Sequence, residues 1–436
     1  MSLPYQDAGG GRADSGHVAG SSATLLRAAL PQHVFSVLPL TLFFPVGWMY
    51  AGVILFLLSL ALSGNYREKG RAMLASPMFR PVLSLSLVSC LVALFLPRPA
   101  GEFWSAFGHY QTYLFLLLFL CIGAGAWQRR AVVFFLSGAL IAATLFYLNF
   151  FQVLPENTMT RSYVIYQGNK SILLGILLAV AAGWLLNRLV IHKEHRWLRL
   201  LVFVYIVVAL LFLTKSRTAS LIMLFLCALI PLSRLSFSWR SLVWLGAAIL
   251  SLWLGLQYAL SLPAPEKCAV REMQSYSPAQ IVRDRGLCTL HQAQAFARGE
   301  DAGEDGMRAE IYKLTGSIVA EKPWTGHGIA SWLSEYQARA RGLASGTMTT
   351  PHNDYLLYAT EVGVFGLAAL LWIWLAQLLA ARKIGGENGM MLAMLGVTMI
   401  IGGMFNAILR DGVFGMAFMI LLAIPLAGAR RDGRKE

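Results

Sequence analysis

Apolar residues in this chain gather in unbroken blocks, and the polar residues collect between them. The blocks fall at about 31–46, 48–64, 81–97, 108–127, 131–151, 171–187, 198–213, 217–233, 241–261, 353–380, 390–408 and 412–428. A helix needs about 20 such residues to cross roughly 30 Å of hydrocarbon, and the period-two alternation of a membrane barrel is absent. The pattern predicts an all-α polytopic membrane protein of about twelve transmembrane helices. One stretch interrupts it, residues 262–352. Met307, Ile311, Leu314 and Ile318 there mark one face of a helix over 306–320. A second helix is expected over 331–341, with Ser331 as its N-cap and Trp332 and Tyr336 on one side. Pro323-Trp324-Thr325-Gly326-His327-Gly328 between them reads as a turn. The expected organisation is a disordered N-terminus (1–30), nine spans (31–261), a helical loop domain (262–352), three more spans (353–428) and a basic tail (429–436).

Composition agrees with a membrane class: 57% of residues are hydrophobic and 13% charged, against about 25% charged in soluble domains. The net charge of +14 invites a nucleic-acid reading until it is located. With both termini in the cytoplasm, the inside segments hold 20 of the 36 Lys and Arg and 7 acidic residues, a net of +13. The excess is therefore topological, with membrane lipids as its partner and no nucleic acid. The first thirty residues are rich in Gly, Ser and Ala and lack a cleavable signal pattern, so the first span is expected to be an uncleaved anchor. Cys90, Cys121 and Cys227 fall in spans; Cys268 and Cys288 fall in the outer loop, where a structural disulfide is expected.

Ionisable residues at the outer ends of spans need a reason. Lys215 and Arg217 lie in the outside turn 214–218, against the positive-inside trend; snorkelling to headgroups is the plain alternative. Arg308 flanks the apolar stripe of the 306–320 helix, with a surface salt bridge to Glu304 or near Glu310 as its plain alternative. His352 is expected in the first turn of the tenth span, with Thr350 as cap and Pro351 at the first helical position. The helix N-terminus and nearby arginines disfavour imidazolium, so a neutral, proton-accepting ring is predicted, although a histidine there is commonly only a cap or interfacial residue. Arg410-Asp411 by default pair with each other. Glu361, two turns into the tenth span, is expected to face the bundle interior. His327 is a candidate ligand contact inside a turn whose glycines look structural. No Asp-x-Asp, His-x-x-x-His or phosphate-binding glycine loop is present, so neither metal nor nucleotide cofactor is expected.

Cations, a neutral histidine and a membrane-level cavity suit transfer from a lipid-linked diphosphate, whose leaving group needs charge stabilisation and no further activation. Ser216-Arg217-Thr218, Arg308, the 323–328 turn, His352-Asn353-Asp354-Tyr355 and Glu361-Val362-Gly363 together resemble the O-antigen ligase/polymerase superfamily, and within it the ligases that join O-antigen to lipid A–core. Each motif is short; their order and the long penultimate loop carry the likeness along most of the chain. The resemblance implies a GT-C-like fold in a Gram-negative inner membrane. It also implies metal-independent, inverting glycan transfer from undecaprenyl diphosphate on the periplasmic side. It assigns His352 as general base and Arg217 and Arg308 to the donor diphosphate. Beside what the resemblance assigns, Lys215 is a further candidate for the diphosphate, Arg161 and Lys170 are candidate outer contacts, and Asn353, Asp411 and His327 are candidate supporting residues. O-antigen polymerases and protein O-oligosaccharyltransferases share these features. A transporter or flippase would instead need ionisable groups at mid-membrane, where Glu361 stands nearly alone.

Overall fold

The computed structural model describes residues 22–96, 100–164, 169–214, 216–233, 239–266, 277–298 and 303–429. All regular structure among these residues is helical. The N-terminal part holds α1 (Ser22–Thr41), α2 (Val46–Leu62), α3 (Tyr66–Ala75), α4 (Phe79–Phe95), α5 (Ala100–Gln111) and α6 (Tyr113–Leu120). The middle holds α7 (Trp127–Phe150), α8 (Arg161–Val164), α9 (Asn169–Ile191), α10 (Arg196–Val208, continued by a π-helical turn to Leu213), α11 (Arg217–Leu232) and α12 (Trp239–Ser261). The loop region holds α13 (Pro278–Ala297), α14 (Gly303–Glu321) and α15 (Trp332–Arg339), followed by α16 (Asp354–Ile384), α17 (Gly386–Phe405) and α18 (Gly412–Leu426).

Five helices are long and apolar enough to span a membrane, and a sixth span arises if α3 and α4, bent by 87°, count as one. Shorter apolar helices, α2, α11 and α18, accompany them. The chain is thus a multi-pass membrane protein. Three sequence expectations change. Helix α1 begins at Ser22, because Ala and Leu between 23 and 30 favour helix, so residues 22–30 are not a disordered leader. The expected span 108–127 breaks at Thr112 into α5 and α6. The tenth span begins at Asp354, capped by the Asn353 side chain, which accepts from the Leu356 N–H at 3.0 Å; Thr350 and Pro351 precede the helix.

Helix α1 packs on α7 and α2, α9 on α10 and α11, and α16 on α17 and α4. The loop domain has a small core of its own: Ile311, Ile318, Trp332, Tyr336 and Ala340, closed by Leu357 from α16. Its Trp332 and Tyr336 rings stack at 4.8 Å, as their spacing predicts. Leu357 ties this core to the membrane bundle. Cys288 is buried and disulfide-bonded; Cys268, its expected partner, lies outside the described residues.

Candidate functional site

Helix α16 is not continuous. Gly363 takes φ 73°, ψ −168°, a conformation essentially confined to glycine. The backbone freed there is paired by the 323–328 turn. His327 N–H donates to Thr360 C=O at 2.7 Å, Gly328 N–H to Glu361 C=O at 3.1 Å, and Val364 N–H to Pro323 C=O at 2.8 Å. Gly326, at φ 69°, sits so close that a Cβ would lie 2.6 Å from the Glu361 carbonyl carbon. The two motifs are thus halves of one joint, which seats the loop on the membrane helix.

Glu361 is buried in that joint, as expected. It accepts from the Tyr110 hydroxyl at 2.8 Å and from the Trp332 N–H at 3.3 Å. The Trp332 bond makes Glu361 the cap of α15. Ser331 makes no capping bond, and its hydroxyl has no partner among the described residues. His327 is 5% exposed, with Nε2 at 2.9 Å from the Ile318 carbonyl and Nδ1 3.7 Å from Glu335. It therefore braces the turn and does not face a ligand.

His352 lies just before the Asn353 cap, not in the first helical turn, and has a left-handed backbone with φ 50°. Both of its backbone polar groups are held. Its N–H donates to Thr350 Oγ1 at 3.0 Å, and its carbonyl accepts from the Tyr312 hydroxyl at 3.1 Å. The imidazole makes no hydrogen bond to the described residues. Burial, then Arg308, then Arg410 bring its pKa down to about 4. The predicted neutral ring is present, and desolvation is the largest single cause. Arg308 forms no ion pair among the described residues, while Glu310, its expected neighbour, is occupied by Ser345.

The turn between α17 and α18 draws these parts together. The Asp354 carboxylate is fully buried and accepts from the N–H groups of Ile408, Leu409 and Arg410. This holds the turn against the start of α16 and sets Arg410 toward His352. Arg410 donates to the Thr349 carbonyl, and Asp411 caps α18 through the Val413 N–H at 2.8 Å. The expected Arg410–Asp411 pair does not form. Tyr312 and Asn353 both reach the Met404 carbonyl, at 2.9 and 3.1 Å. Asn406 donates to Thr218 at 3.1 Å, bringing in the start of α11. There Ser216 caps the helix by accepting from the Ala219 N–H, and Arg217 donates to Thr289 of α13. Lys215 lies outside the described residues. Lys170 turns to the Leu42 carbonyl and Arg161 is exposed.

His352 and Asn353 thus stand at one turn and Arg308 acts on His352 there, while the start of α11 joins the turn through Thr218 with the Arg217 side chain directed to Thr289 of α13; His327 lies in the joint instead. Sequence reasoning missed Asp354 and Arg410 as organisers of that turn, and Tyr312 as the clamp on His352. The only local signal for Asp354 was a carboxylate at a span's first residue.

This fold and site define a helical, multi-pass membrane protein whose loop domain packs on the long helices beside a centre that carries a histidine and arginines. Residues 201–371 match the O-antigen ligase family, which supports a member of the O-antigen ligase/polymerase superfamily. Members of this superfamily are glycosyltransferase-like enzymes acting on lipid-linked glycans. The matched stretch contains Arg217, Arg308, both halves of the joint and His352. No curated protein sequence matches the chain.

Proposed function

We propose that the protein is an O-antigen ligase, transferring a glycan from undecaprenyl diphosphate to a sugar hydroxyl of lipid A–core at the periplasmic face of the inner membrane. The observation that carries this reading is His352. Its backbone is clamped, its imidazole makes no hydrogen bond among the described residues, and burial, then Arg308 and Arg410, hold its proton affinity down. A ring so placed can accept a proton from an incoming hydroxyl.

The imidazole removes the acceptor proton while the acceptor oxygen bonds to the anomeric carbon. The bond from that carbon to the diphosphate oxygen breaks, and its electron pair leaves with undecaprenyl diphosphate. Arg217 and Arg308 meet the charge that develops on the leaving group, and Lys215, two residues before Arg217 in the sequence, is assigned to the same diphosphate. One displacement inverts the anomeric centre. The imidazolium then returns its proton to the released diphosphate or to water. Diphosphate binding also neutralises part of the cationic field around His352, which raises the ring's basicity when a substrate is present.

Purified protein, undecaprenyl-diphosphate-linked glycan and lipid A–core, with EDTA present, provide the test. Wild type should form glycosylated lipid A–core, and His352→Ala should lose transfer by at least about a thousandfold, in the range of a lost general base with its positioning, while still binding the donor. A wild type that lengthens the donor glycan and ignores lipid A–core would make it a polymerase. Normal transfer by His352→Ala would remove the histidine from the chemistry.

A further inference from the structure

A cavity of about 370 Å³ opens between α5, α15, the start of α16 and the 406–411 turn. That size lies within the roughly 300–1,000 Å³ of small-molecule sites. His352, Arg217 and Arg308 do not line it, so it is not the diphosphate pocket. It meets the reacting centre through Arg410 and Thr349, which are bonded to each other. Arg410 is one of the two cations that act on His352, and Thr349 stands three residues before it.

The walls combine two kinds of chemistry. Tyr110 and Tyr358, edge to face at 4.8 Å, and Trp332 supply aromatic surface. Ser105, His109, Thr349 and Arg410 supply donors and acceptors at the rim. The one carboxylate among the lining residues, Glu361, is committed to Tyr110 and to the Trp332 N–H, so its oxygens are already engaged within the wall. Aromatic surface with hydroxyl-sized polar partners and one cation suits a hydroxyl-rich ring; a bare anion or an acyl chain would leave half of these groups unused.

A single displacement requires the attacking hydroxyl to approach away from the diphosphate and within reach of the base. Of the groups around His352, Arg217 and Arg308 belong to the diphosphate in the reading above, and Arg410 opens onto this cavity. We infer that the cavity between α5 and α15 is a carbohydrate subsite that holds the acceptor sugar and presents its hydroxyl to His352. The inference rests on the glycosyl-transfer reading and assigns α5 a substrate-binding role.

Two variants test it in the full-length protein: Ser105→Trp, which fills the cavity mouth, and His109→Ala, which removes a rim partner. Each is first checked for wild-type thermal unfolding, and the variant that passes is assayed. With lipid A–core as acceptor, the apparent KM for acceptor should rise at least tenfold. The Kd for undecaprenyl-diphosphate-linked glycan should stay within twofold. An unchanged acceptor KM in a folded variant overturns the subsite. A weakened donor Kd with unchanged acceptor KM also overturns it and gives the cavity to the donor. A wild type that binds donor yet transfers to no sugar acceptor fails the glycosyl-transfer reading itself, a different result from a wild type that transfers and a variant indifferent to the filled cavity.

Discussion

His352 adopts a left-handed backbone that costs a non-glycine residue roughly 1–3 kcal/mol, and two hydrogen bonds, donated by its N–H to Thr350 and accepted by its carbonyl from Tyr312, hold it there. Such strain is tolerated where a side chain must be held in one direction. The ring's pKa, about 4 against an ordinary 6.5, lies on the depressed side. The imidazole is therefore neutral and able to accept a proton at every pH above about 4, and is lost as a base only below it. The acid limb of kcat/KM, which reports the free enzyme, should fall near pH 4 rather than near 6.5. Arg308→Gln removes one of the two cations but leaves burial, the larger cause, so the limb should move only part of the way toward 6.5. A pH–rate series from 3.5 to 8 on both proteins checks this, and a wild-type limb at 6.5 would refute it. The neutral ring was legible in the sequence; its reason was not. The helix dipole was expected to act on a residue in the first turn, yet Asn353 takes the cap and His352 stands outside, where burial under the loop dominates.

Helix α16 shows why elements can be read from sequence more readily than their junctions. Its apolar run announces a span, and the Pro323–Gly328 turn announces itself through its glycines. That the turn pairs with the backbone at Thr360–Val364 leaves no periodic trace, because the bonds join residues about 35 positions apart. Gly363 is the point where the helix opens to receive them. Gly363→Ala places a side chain in a glycine-only conformation, at a cost of roughly 1–3 kcal/mol, and drives its Cβ into the Trp324 carbonyl. The joint should loosen, freeing the Glu361 cap of α15 and the roof above His352. The expected outcome is thermal unfolding lower by several degrees and transfer reduced at least tenfold. Gly316→Ala is the control: it lies on α14 of the same loop domain, where an added Cβ meets nothing within 4 Å, and should match wild type. Equal behaviour of the two variants would show that the joint does not support activity. Ser331 illustrates the same limit from the other side. It has the residue type of a cap and the position of one, but a carboxylate from a distant helix does the work.

Across the whole molecule, hydrophobic blocks gave most helix positions within a few residues, since burial in hydrocarbon is a local compositional demand. The failures are a helix outside the blocks and a break inside one: α3 lies in the connection between the 48–64 and 81–97 blocks, bent by 87° from α4, and the 108–127 block breaks at Thr112 into α5 and α6. An uninterrupted apolar stretch does not reveal how many times it crosses, and twelve crossings remain an expectation beside the five or six long apolar spans. Charge placement bears on that question independently, because the +13 excess appears only if both termini and every second connection face the cytoplasm. That arrangement puts the loop domain, with α14 and α15, on the opposite side from the α16–α17 connection. Both ends are usable for labelling: Glu321, at the end of α14, and Lys383, at the end of α16, are exposed. In a background with Cys90, Cys121 and Cys227 replaced by Ala, Glu321→Cys should react with a membrane-impermeant maleimide in intact spheroplasts. Lys383→Cys should react only after the membrane is opened. The helix between them, 31 residues with the joint near its loop-side end, supplies the length for the crossing. Labelling of both positions from one side would make α16 a re-entrant element. Reaction of Glu321→Cys only after the membrane is opened would instead put the loop domain and His352 on the cytoplasmic side, against the transfer proposed above.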